Sequence, residues 1–140
     1  MGLENRGSVG APSRFGGPSD VSGAQMRALV ESVGLNRRDV ARLLEVSESS
    51  VARWWMGQTR IPVGVIDDLM LWVRASEALE AEILRELRAT GTAQTYLADE
   101  DLPEHLSRYG ALFHRVAAGR ALANLDQPTG EEGPARLLWA

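Results

Sequence analysis

The stretch that decides the fold is "GLNRRDVARLLEVSESSVARWWMGQTRIP", residues 34–62. Its first part predicts a helix that begins after Asn36, because an asparagine side chain accepts hydrogen bonds from the free N–H groups of a first helical turn. Asp39, at the third helical position, places a negative charge near the positive end of the helix dipole. The packing face of this helix is then supplied by Val40, Ala41, Leu43 and Leu44.

A second short helix follows after a sharp corner. The segment "EVSE", residues 45–48, interrupts the apolar pattern, and Ser47 is a suitable cap for the helix that follows. Helix, short turn and helix within about twenty residues leave room only for the helix-turn-helix arrangement.

The two faces of this next helix differ in character. With Val51 at the centre of the buried face and ~100° of rotation per residue, Trp54 and Trp55 fall on either side of it. Ser49 and Arg53 point the opposite way. Gly57 is placed to end the helix, and Pro62 suits the first position of the next one. We therefore expect an aromatic side that holds the helix and a polar side that faces outward.

The flanking sequence extends this pattern in both directions. Residues 22–33 predict an earlier helix, which Gly34 ends. Residues 62–89 predict either one long helix or two helices broken near Ser76, with a second apolar stripe that needs a partner. Residues 92–102 are compatible with a short strand and an acidic turn, and residues 104–125 with a closing helix whose Ala117, Ala118 and Gly119 allow close packing.

The predicted fold class is mainly α, with an N-terminal helix-turn-helix bundle and a C-terminal extension of helix, short strand and closing helix. We predict a disordered tail at residues 1–20, because that segment is rich in Gly, Ser and Pro and nearly devoid of apolar residues. A helix-turn-helix domain at 21–75, a C-terminal region at 76–126 and a flexible C-terminal tail at 127–140 follow. Residues 137–139 of that tail are apolar and suited to docking on the domain or on a partner.

Charge is distributed unevenly along the chain. The net charge is −4, but residues 21–62 carry six arginines against four acids, whereas residues 63–101 carry nine acids against three arginines. A basic helical module of this kind is compatible with nucleic acid binding. The chain has no cysteine, which excludes disulfides and thiolate metal sites. No apolar run approaches the ~20 residues of a membrane span, so we expect a cytoplasmic protein of a bacterial cell with no membrane partner.

Residues 34–62 resemble the Cro and CI type of helix-turn-helix in phage repressors, also called XRE-like. The resemblance covers Ala24 to about Val73 and rests on the "LN" opening at Leu35, the apolar Val51, Gly57 and the proline that follows. The sequence departs from the pattern at Glu45, where the family usually has glycine. That difference bears on the backbone of the turn and leaves the predicted fold unchanged.

This resemblance implies double-stranded DNA as a partner. In such proteins the start of the recognition helix meets base edges in the major groove, which nominates Glu48, Ser49 and Arg53 as base-reading residues. Arginine can bind guanine with two hydrogen bonds, and a glutamate can accept from cytosine N4. The acidic Glu48 is less usual there than glutamine. The phosphate-contacting positions would be held by Asn36, Arg37, Ser47, Ser50 and Arg60.

The C-terminal half carries a less specific resemblance. The stretches "YLADEDL", residues 96–102, and "LFHRVAAGRAL", residues 112–122, resemble the anti-CRISPR-associated repressors of phages and mobile elements. That resemblance implies a homodimer that covers an inverted repeat and represses its own operon. The expected dimerisation residues are Leu79, Ile83, Leu87, Tyr96, Leu97, Leu112 and Val116.

Catalysis finds little support in the sequence. His105 and His114 are nine residues apart, and no hydrolase, metalloprotease or phosphate-loop motif is present. We expect a protein that is not an enzyme, with no metal and no cofactor. The competing hypothesis is an antitoxin-like protein, whose C-terminal region binds a partner protein and whose helix-turn-helix is secondary. A role in binding single-stranded RNA is weaker still, because no ladder of exposed aromatic residues accompanies the basic face.

Overall fold

The computed structural model describes residues 16–125 and 134–140. Within these ranges the helices are α1 (Gly23–Ser32), α2 (Arg37–Leu44), α3 (Glu48–Trp55), α4 (Val63–Thr90) and α5 (Ala111–Ala123), and the strands are β1 (Thr92–Thr95) and β2 (Arg136–Trp139). Short 3₁₀ helices at Asp99–Asp101 and Glu104–Leu106 connect β1 to α5. The predicted fold class, a mainly helical chain with a strand and a closing helix, is confirmed. No helix in the described ranges is long and apolar enough to cross a membrane.

Side-chain caps set the starts of α2 and α3, as the sequence predicted. Asn36 Oδ1 accepts a hydrogen bond from the backbone N–H of Asp39 at 2.9 Å, and Asp39 Oδ2 accepts one from the N–H of Asn36 at 3.0 Å. Ser47 Oγ accepts from the N–H of Ser50 at 3.1 Å. These bonds satisfy backbone donors that the first helical turn leaves free, so both helices begin at defined residues.

The turn between α2 and α3 depends on the backbone of Glu45. This residue ends α2 with φ 58° and ψ 45°, in the left-handed region. A residue with a Cβ atom pays roughly 1–2 kcal/mol for that conformation. The turn therefore keeps the geometry that glycine would adopt without strain.

The first core lies between α1, α2, α3 and the first half of α4. Val51 is fully buried and Trp54 is 8% exposed, whereas Trp55 is only half-buried. The start of α1 rests directly on the end of α3, because a Cβ atom at Gly23 would overlap the carbonyl oxygens of Trp54 and Trp55. Both tryptophans were predicted to pack behind the polar face; Trp54 is buried there, and Trp55 is only partly buried. The core is completed by Met26, Val30, Val40, Leu44, Val65, Leu69, Trp72 and Phe113.

Helix α4 runs without a break through Ser76, which decides between the two alternatives for this segment. Its second apolar stripe is covered by α5 of the same chain, where Ile83 and Leu87 pack with Ala117, Ala118 and Ala121. The boundary predicted between residues 75 and 76 therefore falls inside one continuous helix. The stripe that needed a partner finds it within the chain.

Helix α5 begins later than the sequence suggested. Residues 104–110 form a 3₁₀ helix and a turn, and Gly110, with φ 93°, precedes the first helical residue. Asp99 Oδ1 accepts a hydrogen bond at 2.7 Å from the backbone N–H of Ala111 and so supplies the cap from a distant segment. Ala117 and Ala118 are fully buried as expected, but Gly119 is exposed and Leu112 is 48% exposed.

The C-terminal residues form a strand that the sequence analysis did not predict. Strand β2 pairs with β1 in parallel, with Thr92 opposite Arg136 and Thr95 opposite Trp139. This pairing corrects the expectation of a flexible tail for residues 136–139. It agrees with the expectation that the apolar residues 137–139 dock on the domain. Residues 1–15 of the predicted N-terminal tail, and residues 127–133 of the predicted C-terminal tail, lie outside the described ranges.

The described part of the N-terminal segment lies beside the start of α4. The backbone N–H of Ser19 donates to the carbonyl of Ile61 at 2.6 Å, and Pro18 forms an isolated antiparallel bridge with Pro62. Residues 16–20 were included in the predicted disordered tail. Their hydrogen bonds correct that expectation for this short stretch.

The strain at Glu45 predicts how substitutions there change stability. Glu45→Gly should raise the free energy of unfolding by up to about 1 kcal/mol, because glycine adopts a positive φ without the Cβ clash. Glu45→Val should lower it by at least about 1 kcal/mol, because a β-branched residue resists that region. Urea denaturation of the three proteins measures both effects. Equal stability of the glycine and valine variants would contradict the strained turn.

Burial of His114 predicts a dependence of stability on pH. Its Nδ1 lies 3.0 Å from Thr95 Oγ1, and desolvation lowers its pKa below the ordinary value of 6.5, with the charge of Glu82 acting in the opposite direction. Below pH 6.5 the unfolded chain takes up a proton that the folded chain resists, so stability should fall as the pH is lowered from about 7 to about 5.

The matched variant for this measurement is His114→Gln, which removes the titrating group and keeps a hydrogen-bonding side chain. Urea denaturation across that pH range should show a smaller loss of stability in the variant than in the wild type. Identical pH profiles would show that His114 is not responsible.

Candidate DNA-binding surface

Helix α3 presents a polar surface on the side opposite its buried face. Glu48, Ser49 and Arg53 are exposed, while Val51 is fully buried behind them. This is the rotational register that the sequence predicted. All three residues nominated for base reading are accessible on this helix: Ser49 and Arg53 lie opposite Val51, and Glu48, about 60° from Val51 around the helix, lies on the side next to Arg37.

Hydroxyl groups at the start of α3 form a small hydrogen-bonded cluster. Ser47 Oγ lies 3.1 Å from Ser49 Oγ and 3.0 Å from Ser50 Oγ. Arg53 Nη2 donates to Ser50 Oγ at 3.2 Å. The guanidinium of Arg53 therefore points back along the helix toward the hydroxyl cluster at the start of α3.

An ion pair connects α2 to α3 across this surface. Arg37 Nε lies 3.4 Å from Glu48 Oε1, and both side chains are about half exposed. The one acidic residue among the three base-reading candidates is therefore paired with one of the phosphate candidates. The pair is open to solvent, so it adds little to stability, but it moderates the negative charge at the start of α3.

A cleft beside this ion pair carries further positive charge. Three arginines and two acids border it, so positive charge is in slight excess. Its lining residues are Arg27, Glu31, Asn36, Arg37, Arg38, Glu48 and Trp55. The guanidinium carbon of Arg27 lies 5.2 Å from the centre of the Trp55 ring, a distance suited to a cation–π contact. Arg27 also pairs with Glu31 through a 3.2 Å contact.

Sequence reasoning did not assign Arg27 or Trp55 to this surface. Trp55 was placed in the core and is instead half-buried at the wall of the cleft. Arg27 comes from another helix, so only the packing of α1 against α3 brings it here. Its helical phase relative to the buried Met26 and Val30 places it away from the core, but no sequence pattern states which neighbour it meets.

Arg60 lies apart from the other phosphate candidates. It is exposed in the loop that follows α3, and it shares a shallow depression with Ser19, Asp20 and Gly57. Asn36, Arg37, Ser47 and Ser50 lie at or near the starts of α2 and α3. The structure therefore brings four of the five phosphate candidates to one region and leaves Arg60 near the opposite end of α3.

The expected dimerisation residues are divided by the fold. Ile83 is 4% exposed and Leu87 is fully buried, both beneath α5 of the same chain, so they are unavailable to a second copy. This corrects the expectation for these two residues. Leu97 and Leu112 are strongly exposed, whereas Leu79, Tyr96 and Val116 are half-buried.

Comparison with known proteins agrees with the geometry. Residues 23–83 match the family model of a helix-turn-helix domain. None of the curated proteins matches the chain. The matched range includes α1, α2, α3 and most of α4, and thus the whole polar surface described above. Residues 23–83 are therefore similar to a helix-turn-helix domain, and this similarity supports a DNA-binding regulator.

The division of α3 into a buried and an exposed face predicts two different mutational effects. Trp54→Ala should lower the free energy of unfolding by about 3–5 kcal/mol, because it leaves a large cavity in the core. Arg53→Ala should change it by less than about 0.5 kcal/mol, since the side chain is exposed. Urea denaturation followed by circular dichroism measures both. A large loss of stability in Arg53→Ala would show that this face of α3 is structural.

Proposed function

We propose that this protein is a sequence-specific transcription regulator, a homodimeric repressor that binds an inverted repeat in the promoter of its own operon. The observation that carries the proposal is the start of α3, where a serine cap fixes the helix and three polar side chains are exposed over a buried Val51. A helix end of this form enters the major groove of DNA in helix-turn-helix proteins.

Base reading is assigned to Glu48, Ser49 and Arg53. Arg53 suits a guanine, whose O6 and N7 accept two hydrogen bonds from one guanidinium, and Glu48 suits the N4 donor of cytosine. In the free protein both side chains have internal partners, Ser50 and Arg37 respectively. On binding DNA, these two side chains would give up their internal contacts and bond to bases instead. Only a matching sequence offers replacement bonds of a similar kind, so that sequence is favoured.

Phosphate binding is assigned to the start of α2 and its surroundings. Arg37 contacts the base-reading helix through Glu48, and the set nominated from the sequence also includes Asn36, Ser47, Ser50 and Arg60. The cleft adds Arg27 and Arg38, which border the same region. Contacts of this type fix the position of a protein on the duplex and carry no sequence information themselves.

The dimer follows from how little DNA one helix can read. A single recognition helix covers few base pairs, and a two-fold pair with half-sites ~34 Å apart doubles the site. Of the residues first nominated, Leu97 and Leu112 offer exposed apolar surface to a second copy. Repression by covering a promoter in the bacterial cytoplasm needs no catalytic group, so we propose a role that is not enzymatic. The resemblance to repressors of phages and mobile elements supports this assignment.

A gel-shift titration against the DNA upstream of the gene tests the proposal. The wild type should form a discrete complex on that fragment and not on a scrambled fragment. Arg53→Ala should weaken the specific complex by about 1–3 kcal/mol, because it loses one base contact. A fragment cut to one half of the inverted repeat should bind more weakly than the intact repeat.

The matched control is Arg85→Ala, which removes an exposed arginine of α4 outside the proposed surface. It should bind like the wild type. Equal binding of native and scrambled fragments by the wild type would reject sequence-specific recognition. Equal weakening by the two arginine variants would reject α3 as the reading helix.

A further inference from the structure

A pocket of about 180 Å³ lies between α4, the 3₁₀ helix at Glu104–Leu106 and α5. Its walls are mainly apolar, with Leu79 from α4, Leu106 from the connecting segment and Phe113 from α5. It is far along the chain from the polar face of α3 and none of the residues proposed to contact DNA lines it. The pocket is therefore a separate feature that the proposed contacts with DNA do not explain.

The size of the pocket limits its occupant. An apolar cavity of about 150 Å³ accommodates a benzene molecule, whereas a nucleotide or a long acyl chain requires several times that volume. The rings of Tyr109 and Phe113 stack with their centres 4.4 Å apart at an interplanar angle of 25°, which offers an aromatic wall. A single aromatic ring matches both the volume and this wall.

The polar groups of the pocket favour an anion at its rim. Arg108 lines the pocket with its guanidinium carbon 5.5 Å from the centre of the Tyr109 ring, and in the described part of the chain it has no carboxylate partner. His105 is exposed at the same rim. An arginine is positively charged and binds a carboxylate through two parallel hydrogen bonds. Arg108 is therefore complementary to a carboxylate group attached to the aromatic ring of a ligand.

We propose that this pocket binds a small aromatic carboxylate, with the ring against Phe113 and Tyr109 and the carboxylate on Arg108. His114, which also lines the pocket, is held by Thr95 through its Nδ1, and its second ring nitrogen has no hydrogen-bond partner among the described residues. The pocket thus combines an apolar interior with few polar groups, as small-molecule sites do.

The pocket is connected to the helix-turn-helix by one hydrogen bond and by a shared hydrophobic core. Arg42 of α2 donates from Nη1 to the backbone carbonyl of Arg108 at 3.0 Å. Phe113 belongs to the core that includes Val40 and Val51. A ligand that moves Arg108 or Phe113 therefore acts on α2 and on the support of α3, which makes it an effector of DNA binding. This effector role rests on the proposed function, whereas ligand binding itself does not.

Titration of the full-length protein with benzoate, followed by two-dimensional NMR of backbone amides, tests ligand binding. Benzoate should shift the signals of Leu79, Tyr109 and Phe113 in a saturable way. Benzyl alcohol, which has the ring without the charge, should bind at the same place more weakly, and acetate should not bind. Arg108→Gln should weaken benzoate binding about tenfold and leave benzyl alcohol within about twofold, because only the charge-assisted pair is lost.

Two further variants make the test specific. Arg85→Gln removes an exposed arginine elsewhere and should leave benzoate binding unchanged. Ala75→Leu fills the pocket and should abolish the binding of both ring compounds, with circular dichroism as the check on folding. Absence of saturable benzoate binding, or the same loss in Arg85→Gln as in Arg108→Gln, would overturn the proposal.

A gel-shift titration on the upstream DNA with and without saturating benzoate tests the effector role. A change of at least about fivefold in DNA affinity, absent in Arg108→Gln, is the expected result. Unchanged affinity would overturn the effector role. Failure of the wild type to bind that DNA would reject the proposed function, while the NMR titration would still decide whether the pocket binds benzoate.

Discussion

The apolar face of α4 is the feature on which the other parts of the structure depend. Its first half, with Val65, Leu69 and Trp72, completes the core of α1, α2 and α3, and its second half, with Ile83 and Leu87, packs on α5. Burial of such side chains contributes about 1.5–3 kcal/mol each, so neither half is dispensable. Helices α1 to α3 and the C-terminal elements are consequently built on one helix, and no flexible linker separates them in the described chain.

Arg120 reinforces this arrangement where the two halves meet. Its Nε lies 2.8 Å from Glu80 Oε1, its Nη2 donates to Ser76 Oγ, and its Nη1 donates to the backbone carbonyl of Ser32 at 3.1 Å. One side chain of α5 therefore binds α4 and the end of α1 together. The pair with Glu80 is partly buried and its N–O distance is short. It therefore fixes the orientation of α5 more firmly than an exposed ion pair would.

The local signals in the sequence predicted the first half of this fold well. Caps at Asn36 and Ser47, the glycine after α3 and the period of the apolar residues all act over a few residues, so they determine helix starts and faces without reference to the rest of the chain. The base-reading candidates Glu48, Ser49 and Arg53 follow from the resemblance to the Cro and CI type together with that register, and all three are exposed in the structure.

What the sequence did not predict depends on contacts between distant segments. The late start of α5 needs a cap from Asp99, strand β2 needs β1 as its partner, and the cleft needs Arg27 from another helix. The stripe at Ile83 and Leu87 was assigned to a second copy because periodicity shows that a face is apolar but not what covers it. The roles in DNA binding remain predictions, since they concern a partner and not the chain itself.

The parallel pairing of β1 with β2 has a consequence for how the protein is made. The paired residues Thr92 and Arg136 are 44 positions apart, whereas α1, α2 and α3 all lie within residues 23–55. Local contacts form faster than distant ones. During synthesis the helix-turn-helix and α4 leave the ribosome before β2 exists, so the DNA-binding half can take shape while β1 still has an open edge. Residues 136–139 are translated later and then pair with that edge, so β1 is completed only after the helices before it have been made.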